Sequence, residues 1–426
     1  MTEKNTPELL VPAGSLEVLK VAVRFGADAV YIGGEAFGLR AKAKNFSAED
    51  MKTGIAYAHA NGAKVYVTAN IFAHNADLEG ARAYFEELKG IRPDALIISD
   101  PGMFTLAREI CPEIDIHIST QANNTNYMTA RFWGGLGATR IVSARELSMA
   151  ELKTLKENMP EKMELETFVH GSMCISYSGR CLLSNFLTGR DANRGACTHP
   201  CRWNYKLLKD VTKEHFLDGF VLEEESRPGE YFPVYENERG TYIFNSKDLC
   251  MIGHIPEMVD AGIDSYKIEG RMKNALYVAT VARTYRKAID DYFTDPALYE
   301  RNLSWYAEQI SNCTYREFTT GFFFGKPSDK DQIYEENTYK KEAVYLGYVR
   351  GFDENGRVLV EQKNKFCKGD IIEIMKPSGE NLSAEVLGIF DDDGNEQGSA
   401  PHSRQLLHLE LEKTPDELDV LRAPVR

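Results

Sequence analysis

Four of the chain's eight cysteines fall within one short stretch, in the pattern Cys174-x6-Cys181-x15-Cys197-x3-Cys201. Four converging thiolates close a tetrahedral site or occupy the corners of a cubane, and soft sulfur selects zinc, Cu(I) or an iron–sulfur cluster. Zinc ribbons pair their ligands about two to four residues apart, a spacing that only Cys197 and Cys201 meet. A larger cluster takes ligands from separate loops, so the spacing favours iron–sulfur over zinc, with free or catalytic thiols as a third reading. His199, inside "CTHPC", could stand in for one cysteine. Cys111, Cys250, Cys313 and Cys367 are scattered singly, as small buried apolar residues are.

The same stretch concentrates Arg180, Arg190, Arg194, Arg202 and Lys206 in a chain whose formal net charge is -14. These cations either offset a thiolate-ligated cluster or form a positive rim for an anionic substrate or RNA phosphate. The overall acidity excludes a general nucleic-acid binder, because phosphate affinity comes from clustered cations. Any RNA contact must then be local. No H-E-x-x-H and no Walker phosphate loop occurs, which argues against a zincin or a P-loop enzyme. The opening "MTEKNTPELL" has no apolar targeting region and no long apolar run follows, so the expectation is a cytoplasmic protein without membrane contact, its thiols reduced.

The elements that must position these groups are legible as a repeated local grammar. "VRFGADAVYIGG", "AHANGAKVYVTAN", "WGGLGATRIVSA" and "MVDAGIDSYKIEG" each end a helical stretch at Gly and run into apolar, β-branched residues. Gly suits the left-handed position past a helix C-terminus, and a continuous apolar run suits a strand buried on both faces. With "ELLVPAG", "DALIISD", "IDIHISTQ" and "LETFVHG", eight strands are expected near residues 8–13, 28–33, 64–70, 95–100, 115–121, 139–143, 165–171 and 265–270. Ser47 is the expected N-cap of the helix that follows strand two. This is an α/β chain that reads as a TIM-like (β/α)8 barrel, with a doubly wound sheet as the competing topology.

The 426 residues divide into a catalytic barrel over 1–295, a helical and loop connector over 296–339, and a small antiparallel β-barrel over 340–426. The last rests on short alternating strands separated by "DENG", "SGEN" and "DDDGN" turns. A long insertion, 172–264, follows strand seven and carries the cysteines. In a barrel, active groups sit at the C-terminal ends of the strands. Asn70, Asp100, Gln121, Arg145, Glu166, His170, Glu269 and Arg271 all fall at or near those ends. Arg145 and Arg271 could clamp carboxylates bidentately, and Arg40, Lys42 and Lys44 form an anion-binding or merely solvated loop. His170 and Glu166 lie nearest the expected site and are the candidate acid–base groups.

"ELLVPAGSLEVLKVAVRFGADAVYIGG", "ETFVHGSMCISYSGRCLLSNFLTGRDANRGACTHPCRW" and "YKIEGRMKNALYVATVARTYRKA" together resemble the peptidase U32 family. The resemblance implies RNA hydroxylation, in the branch with a C-terminal β module the prephenate-dependent conversion of wobble uridine 34 of tRNA to 5-hydroxyuridine. It also implies a [4Fe-4S] cluster on Cys174, Cys181, Cys197 and Cys201, with Cys250 as substitute for Cys201. The implied partners are the tRNA anticodon loop, the small dicarboxylate prephenate and a paired U32 homologue. Arg40, Asn70, Gln121, Arg145, Arg180, Glu269 and Arg271 are the expected substrate-binding residues. The family's name keeps a collagenase-like peptidase as the alternative, with His170 and Cys174 as its pair; that scheme leaves three neighbouring cysteines unexplained.

Overall fold

The computed structural model describes residues 6–35, 37, 45–173, 184, 197, 220–223, 231–237, 240–242, 246–327, 331 and 340–425. Its first half alternates β1 (Glu8–Pro12), α1 (Leu16–Arg24), β2 (Ala29–Gly33), α2 (Ala48–Ala60), β3 (Lys64–Ala69), α3 (Leu78–Ile91), β4 (Ala95–Ile98), α4 (Pro101–Ile110), β5 (Asp115–Ile118), α5 (Tyr127–Gly135), β6 (Arg140–Val142), α6 (Met149–Asn158) and β7 (Glu164–Ser172). The helices begin where short polar side chains take up free backbone N–H groups. Ser15 accepts from Val18 N, Ser47 from Asp50 N, and Ser148 forms a reciprocal capping box with Glu151. They end where the chain must reverse: Gly26, Gly62, Gly137 and Gly262 all carry left-handed φ angles, between 73° and 98°.

The insertion contributes β8 (Phe220–Glu223), β9 (Tyr231–Asn237) and β10 (Gly240–Tyr242), which form an antiparallel sheet, and then β11 (Asp248–Cys250). Helix α7 (Ile255–Asp260) leads to β12 (Ser265–Ile268) and the 20-residue α8 (Ala275–Thr294). Strand β12 pairs in parallel with both β1 and β7, so the β1–β7 series closes on itself as an eight-stranded TIM-like barrel. That closure excludes a doubly wound sheet. Strand β11 then runs antiparallel beside the end of β7, placing Asp248 opposite Ser172 and Cys250 opposite His170.

Helices α9 (Pro296–Arg301) and α10 (Leu303–Ser311) pack on α8. The short strands β13 (Thr314–Tyr315), β14 (Phe318–Thr319) and β15 (Lys340–Lys341) follow. The C-terminal module consists of β16 (Ala343–Phe352), β17 (Val358–Glu361), β18 (Phe366–Cys367), β19 (Ile371–Met375), β20 (Asn381–Phe390), β21 (Ser399–Ala400), β22 (Leu406–Leu411) and β23 (Val420–Pro424). Six of these, in the order β16-β17-β22-β20-β19-β23, make a closed antiparallel barrel around Val349, Val360, Ile374, Val386 and Leu409. Arg283 of α8 docks this barrel, donating to Lys376 O at 3.0 Å and Asn381 Oδ1 at 2.7 Å. Burial, reinforced by neighbouring Arg422, pushes the Arg283 guanidinium down to about 9. Among the described residues no helix is long and apolar enough to cross a membrane.

Candidate active site at the barrel mouth

The inner wall of the barrel is more polar than a packed (β/α)8 interior usually is. Arg140 of β6 pairs through Nη1 with Glu8 Oε1 at 2.5 Å and Glu166 Oε2 at 3.1 Å, and through Nη2 with Glu164 Oε2 at 2.6 Å. Lys267 Nζ donates to the other oxygen of Glu166 at 2.5 Å, while Tyr66 Oη and Ser265 Oγ donate to Glu8. Burial works to raise the Glu8 carboxyl, but the Arg140 charge and its hydrogen bonds outweigh it and hold Glu8 below the usual range. Burial also lowers the Lys267 ammonium, against the pull of Glu166. His117, edge-on to Tyr66 at 4.7 Å, is held well below its ordinary value by burial and by the Arg140 and Lys267 charges.

Phe168 separates this interior from the open end. Its ring centroid lies 5.4 Å from Lys267 Nζ and 3.9 Å from the guanidinium carbon of Arg145. Arg145 is fixed further by donation from Nη1 to Ser172 O at 2.6 Å. Arg271 reaches across the mouth from the loop after β12, its Nη1 donating to Thr68 Oγ1 at 2.9 Å. Its path requires Gly33, where an added Cβ would fall 2.0 Å from that nitrogen. Asn70 Nδ2 donates to Ser119 Oγ at 3.3 Å, and Asn124 ties β5 to β6 by donating to Ser119 O and Val142 O.

Buried polar atoms at the mouth remain unsatisfied. Arg145 Nε, Asn70 Oδ1 and Gln121 Oε1 have no hydrogen-bond partner among the described residues. Leaving such atoms unpaired costs about 1–3 kcal/mol each, so their gathering at one rim marks a place where a ligand supplies partners. The arrangement offers a guanidinium edge for an anion and two amide oxygens for N–H or O–H donors.

The expected residues do not all meet there. Asn70, Gln121, Arg145 and Arg271 do. Glu269 is half-buried beside them, its N–H bound to His170 O and its carbonyl accepting from Tyr277 Oη. Asp100 is the N-cap of α4, accepting from Met103 N at 2.9 Å. Glu166 lies below Phe168, fully buried, with both oxygens taken by Arg140 and Lys267, so the structure corrects its expected place at the strand end. His170 faces away from the mouth. The register of β7 against β12 shifts between Lys267 and Ile268, which inserts Val169 as an extra residue. The imidazole consequently packs against Tyr277, Tyr285 and Phe318, with Nδ1 3.5 Å from Tyr285 Oη. Burial pushes it down to about 4.

Arg40, Arg180, Cys174, Cys181 and Cys201 lie outside the described residues. Among the described residues no three His, Cys, Asp or Glu side chains gather as a metal site. β7 ends at the mouth with Met173 just beyond it, so Cys174 is the next residue of the chain, and Cys197 is half-buried. The other thiols are a different population. Cys111, Cys250 and Cys313 are pushed by burial up to about 11, 11 and 12. Cys250 Sγ sits 3.9 Å from Tyr285 Oη and Cys313 Sγ donates to Ile310 O, while Cys250, the expected substitute for Cys201, lies opposite His170 on β11. With Cys367 in the C-terminal module, the four clustered thiols Cys174, Cys181, Cys197 and Cys201 match in type the soft donors of a thiolate-ligated cluster.

Sequence reasoning missed Phe168, Thr68 and the role of Gly33. The aromatic two residues before His170, in the middle of a strand whose neighbours include Glu166 and Thr167, was the available signal.

The sequence profile of peptidase family U32 matches residues 14–333, and that of the peptidase family U32 C-terminal domain matches residues 341–422. The chain is 41% identical to tRNA hydroxylation protein P1 of Bacillus subtilis (strain 168), over 96% of this chain and 92% of the relative. It is 39% identical to tRNA hydroxylation protein P of Escherichia coli (strain K12), over 91% of this chain and 92% of the relative. A Methanocaldococcus jannaschii protein named as an uncharacterized protease is 39% identical over 81% of this chain and 80% of its own length.

Proposed function

The chain belongs to peptidase family U32, and from that premise we propose that it hydroxylates tRNA, converting wobble uridine 34 to 5-hydroxyuridine with prephenate as co-substrate. The observation that carries this reading is the set of unpaired buried atoms at the mouth, Arg145 Nε, Asn70 Oδ1 and Gln121 Oε1, in a chain closely similar to tRNA hydroxylation proteins. Cys174, Cys181, Cys197 and Cys201 would hold a [4Fe-4S] cluster, which when bound supplies electron-transfer chemistry beside the mouth.

Arg145, clamped by Phe168 and Ser172 O, presents its free edge to a carboxylate of the dianionic prephenate and offsets the loss of that group's hydration. Arg271 adds a second positive charge from the opposite wall. Asn70 Oδ1 and Gln121 Oε1 accept from the hydroxyl of the co-substrate or from the imino N–H of the uracil. A base in a single-stranded anticodon loop leaves its stack at little cost, so it can reach the pocket. Phe168 closes the floor, and the fully paired charges of Glu8, Glu166 and Arg140 beneath it take no part in proton transfer.

The placement of His170 bears on the peptidase alternative. A cysteine protease needs a positioned imidazole base beside its thiol. His170, ringed by aromatics and pushed down to about 4, is poorly matched to that task.

Anaerobic purification followed by incubation with prephenate and tRNA from a strain lacking the gene tests the proposal. Expected are iron and acid-labile sulfide in the protein and 5-hydroxyuridine in the digested tRNA. Stoichiometric zinc without iron, or unmodified uridine 34, would overturn it.

A further inference from the structure

Beside the mouth, between the starts of α1 and α2 and strand β16 of the C-terminal barrel, lies a cavity of about 630 Å3. Its volume is within the range of roughly 300–1,000 Å3 of ordinary ligand pockets. It borders the mouth directly. Gly14 lines it, and a Cβ on Gly14 would fall 2.3 Å from the carbonyl oxygen of Arg271. Phe46 lines it too, and its N–H donates at 2.9 Å to the carbonyl of Gly33, the residue over which the Arg271 guanidinium passes.

The charges of this wall are mixed. Lys20 and Arg350 face the space together with Glu17, Asp50 and Glu417, and Tyr348 is buried behind them. Arg350 is loosely held, 3.7 Å from Glu17 and 3.3 Å from Glu361, with its side chain 42% exposed. A small free anion would meet the carboxylates, and an apolar ligand would strand the charges. A nucleotide answers both, with phosphate for the cations and base N–H donors for the carboxylates.

Resting on the reading that this chain acts on RNA, we infer that the cavity is a second RNA subsite, shared by the two barrels, that takes a nucleotide flanking the one in the mouth. The C-terminal module is thereby a working wall of the RNA site, and an acidic chain gains its local phosphate contacts where the substrate strand leaves the pocket.

The test uses the full chain and an anticodon stem–loop RNA, with Lys20→Ala and the Lys20→Ala/Arg350→Ala double variant beside the wild type. Expected is about a tenfold loss of RNA affinity in the double variant, and a salt dependence of binding shallower by about 0.7 per cation removed. The loss in turnover appears in KM for the RNA, while KM for prephenate stays at the wild-type value. Wild-type affinity and salt slope in both variants overturn the inference while leaving the hydroxylase reading intact. A wild-type protein that binds no RNA overturns both. If the double variant unfolds, Lys20→Ala alone decides, because the Lys20 side chain lies 5.5 Å over the Tyr57 ring and its loss leaves the Arg350 contacts in place.

Discussion

The barrel interior and the barrel mouth are built from the same strands and meet at Phe168, yet they differ in how their polar groups are paired: the interior leaves His117 Nδ1 without a partner but pairs all of its charges. Below the ring, Glu8, Glu166, Arg140 and Lys267 satisfy one another. Above it, Arg145, Asn70 and Gln121 each keep a buried atom unpaired. A closed network of buried charges holds a fold together, since removing one member strands the rest. An open set of polar atoms is held ready for a partner that arrives from outside. The two regions should therefore answer mutation in different currencies, stability below and activity above.

Arg140→Leu gives the largest expected effect. It leaves Glu8 buried without its cation and Glu166 with Lys267 alone, and should destabilise the chain by roughly 3–5 kcal/mol, read from urea unfolding. A loss under about 1 kcal/mol would mean that the interior is as open as the mouth and would break the contrast.

His170 supplies the next effect, as pH dependence. Its folded-state value is depressed to about 4 by burial, so the unfolded chain takes up a proton first as pH falls. Stability is retained above the unfolded value near 6.5 and lost from there down to about 4, by about 3 kcal/mol. His117, also depressed, adds to the loss in the same direction. His170→Gln should flatten the urea midpoint between those pH values, and an unchanged profile would contradict the placement of the imidazole.

Arg145→Ala tests the other side of Phe168. Losing a charge-assisted bond worth roughly 1.5–3 kcal/mol should lower kcat/KM for prephenate by about 10–100-fold, while the urea midpoint moves far less than in Arg140→Leu. The smallest effect belongs to Gly33→Ala, whose new methyl pushes the Arg271 guanidinium off Thr68. Roughly 1 kcal/mol of stability is expected, the low end for added bulk because the obstacle is the far end of a flexible side chain. KM for prephenate should rise in the same variant.

Much of the fold could be read in advance because its signals are local. A Gly past each helix and an apolar run after it placed β2, β3, β6 and β12, and each observed strand starts within one residue of its expected position. The site was less legible because its signals are not local. In the sequence Glu166 groups with the strand-end residues, but it is the third of the nine residues of β7 (Glu164–Ser172) and lies in the interior. The extra residue opposite Lys267 and Ile268 turns His170 out of the barrel, and nothing in "ETFVHG" announces it. Arg145 and Arg271 were identified because they fall near strand ends and a guanidinium there can clamp a carboxylate. Their supports, Phe168 and Gly33, look like ordinary strand residues until the barrel closes around them.

The central claim is that the mouth above Phe168 is where tRNA is modified. The direct measurement is mass spectrometry of the wobble nucleoside in tRNA from cells whose only copy of the gene carries Arg145→Ala. The account predicts that 5-hydroxyuridine is present with the wild-type gene and falls to the level of the deletion strain with the variant, although the variant protein accumulates normally. Full modification at uridine 34 in the variant would contradict it.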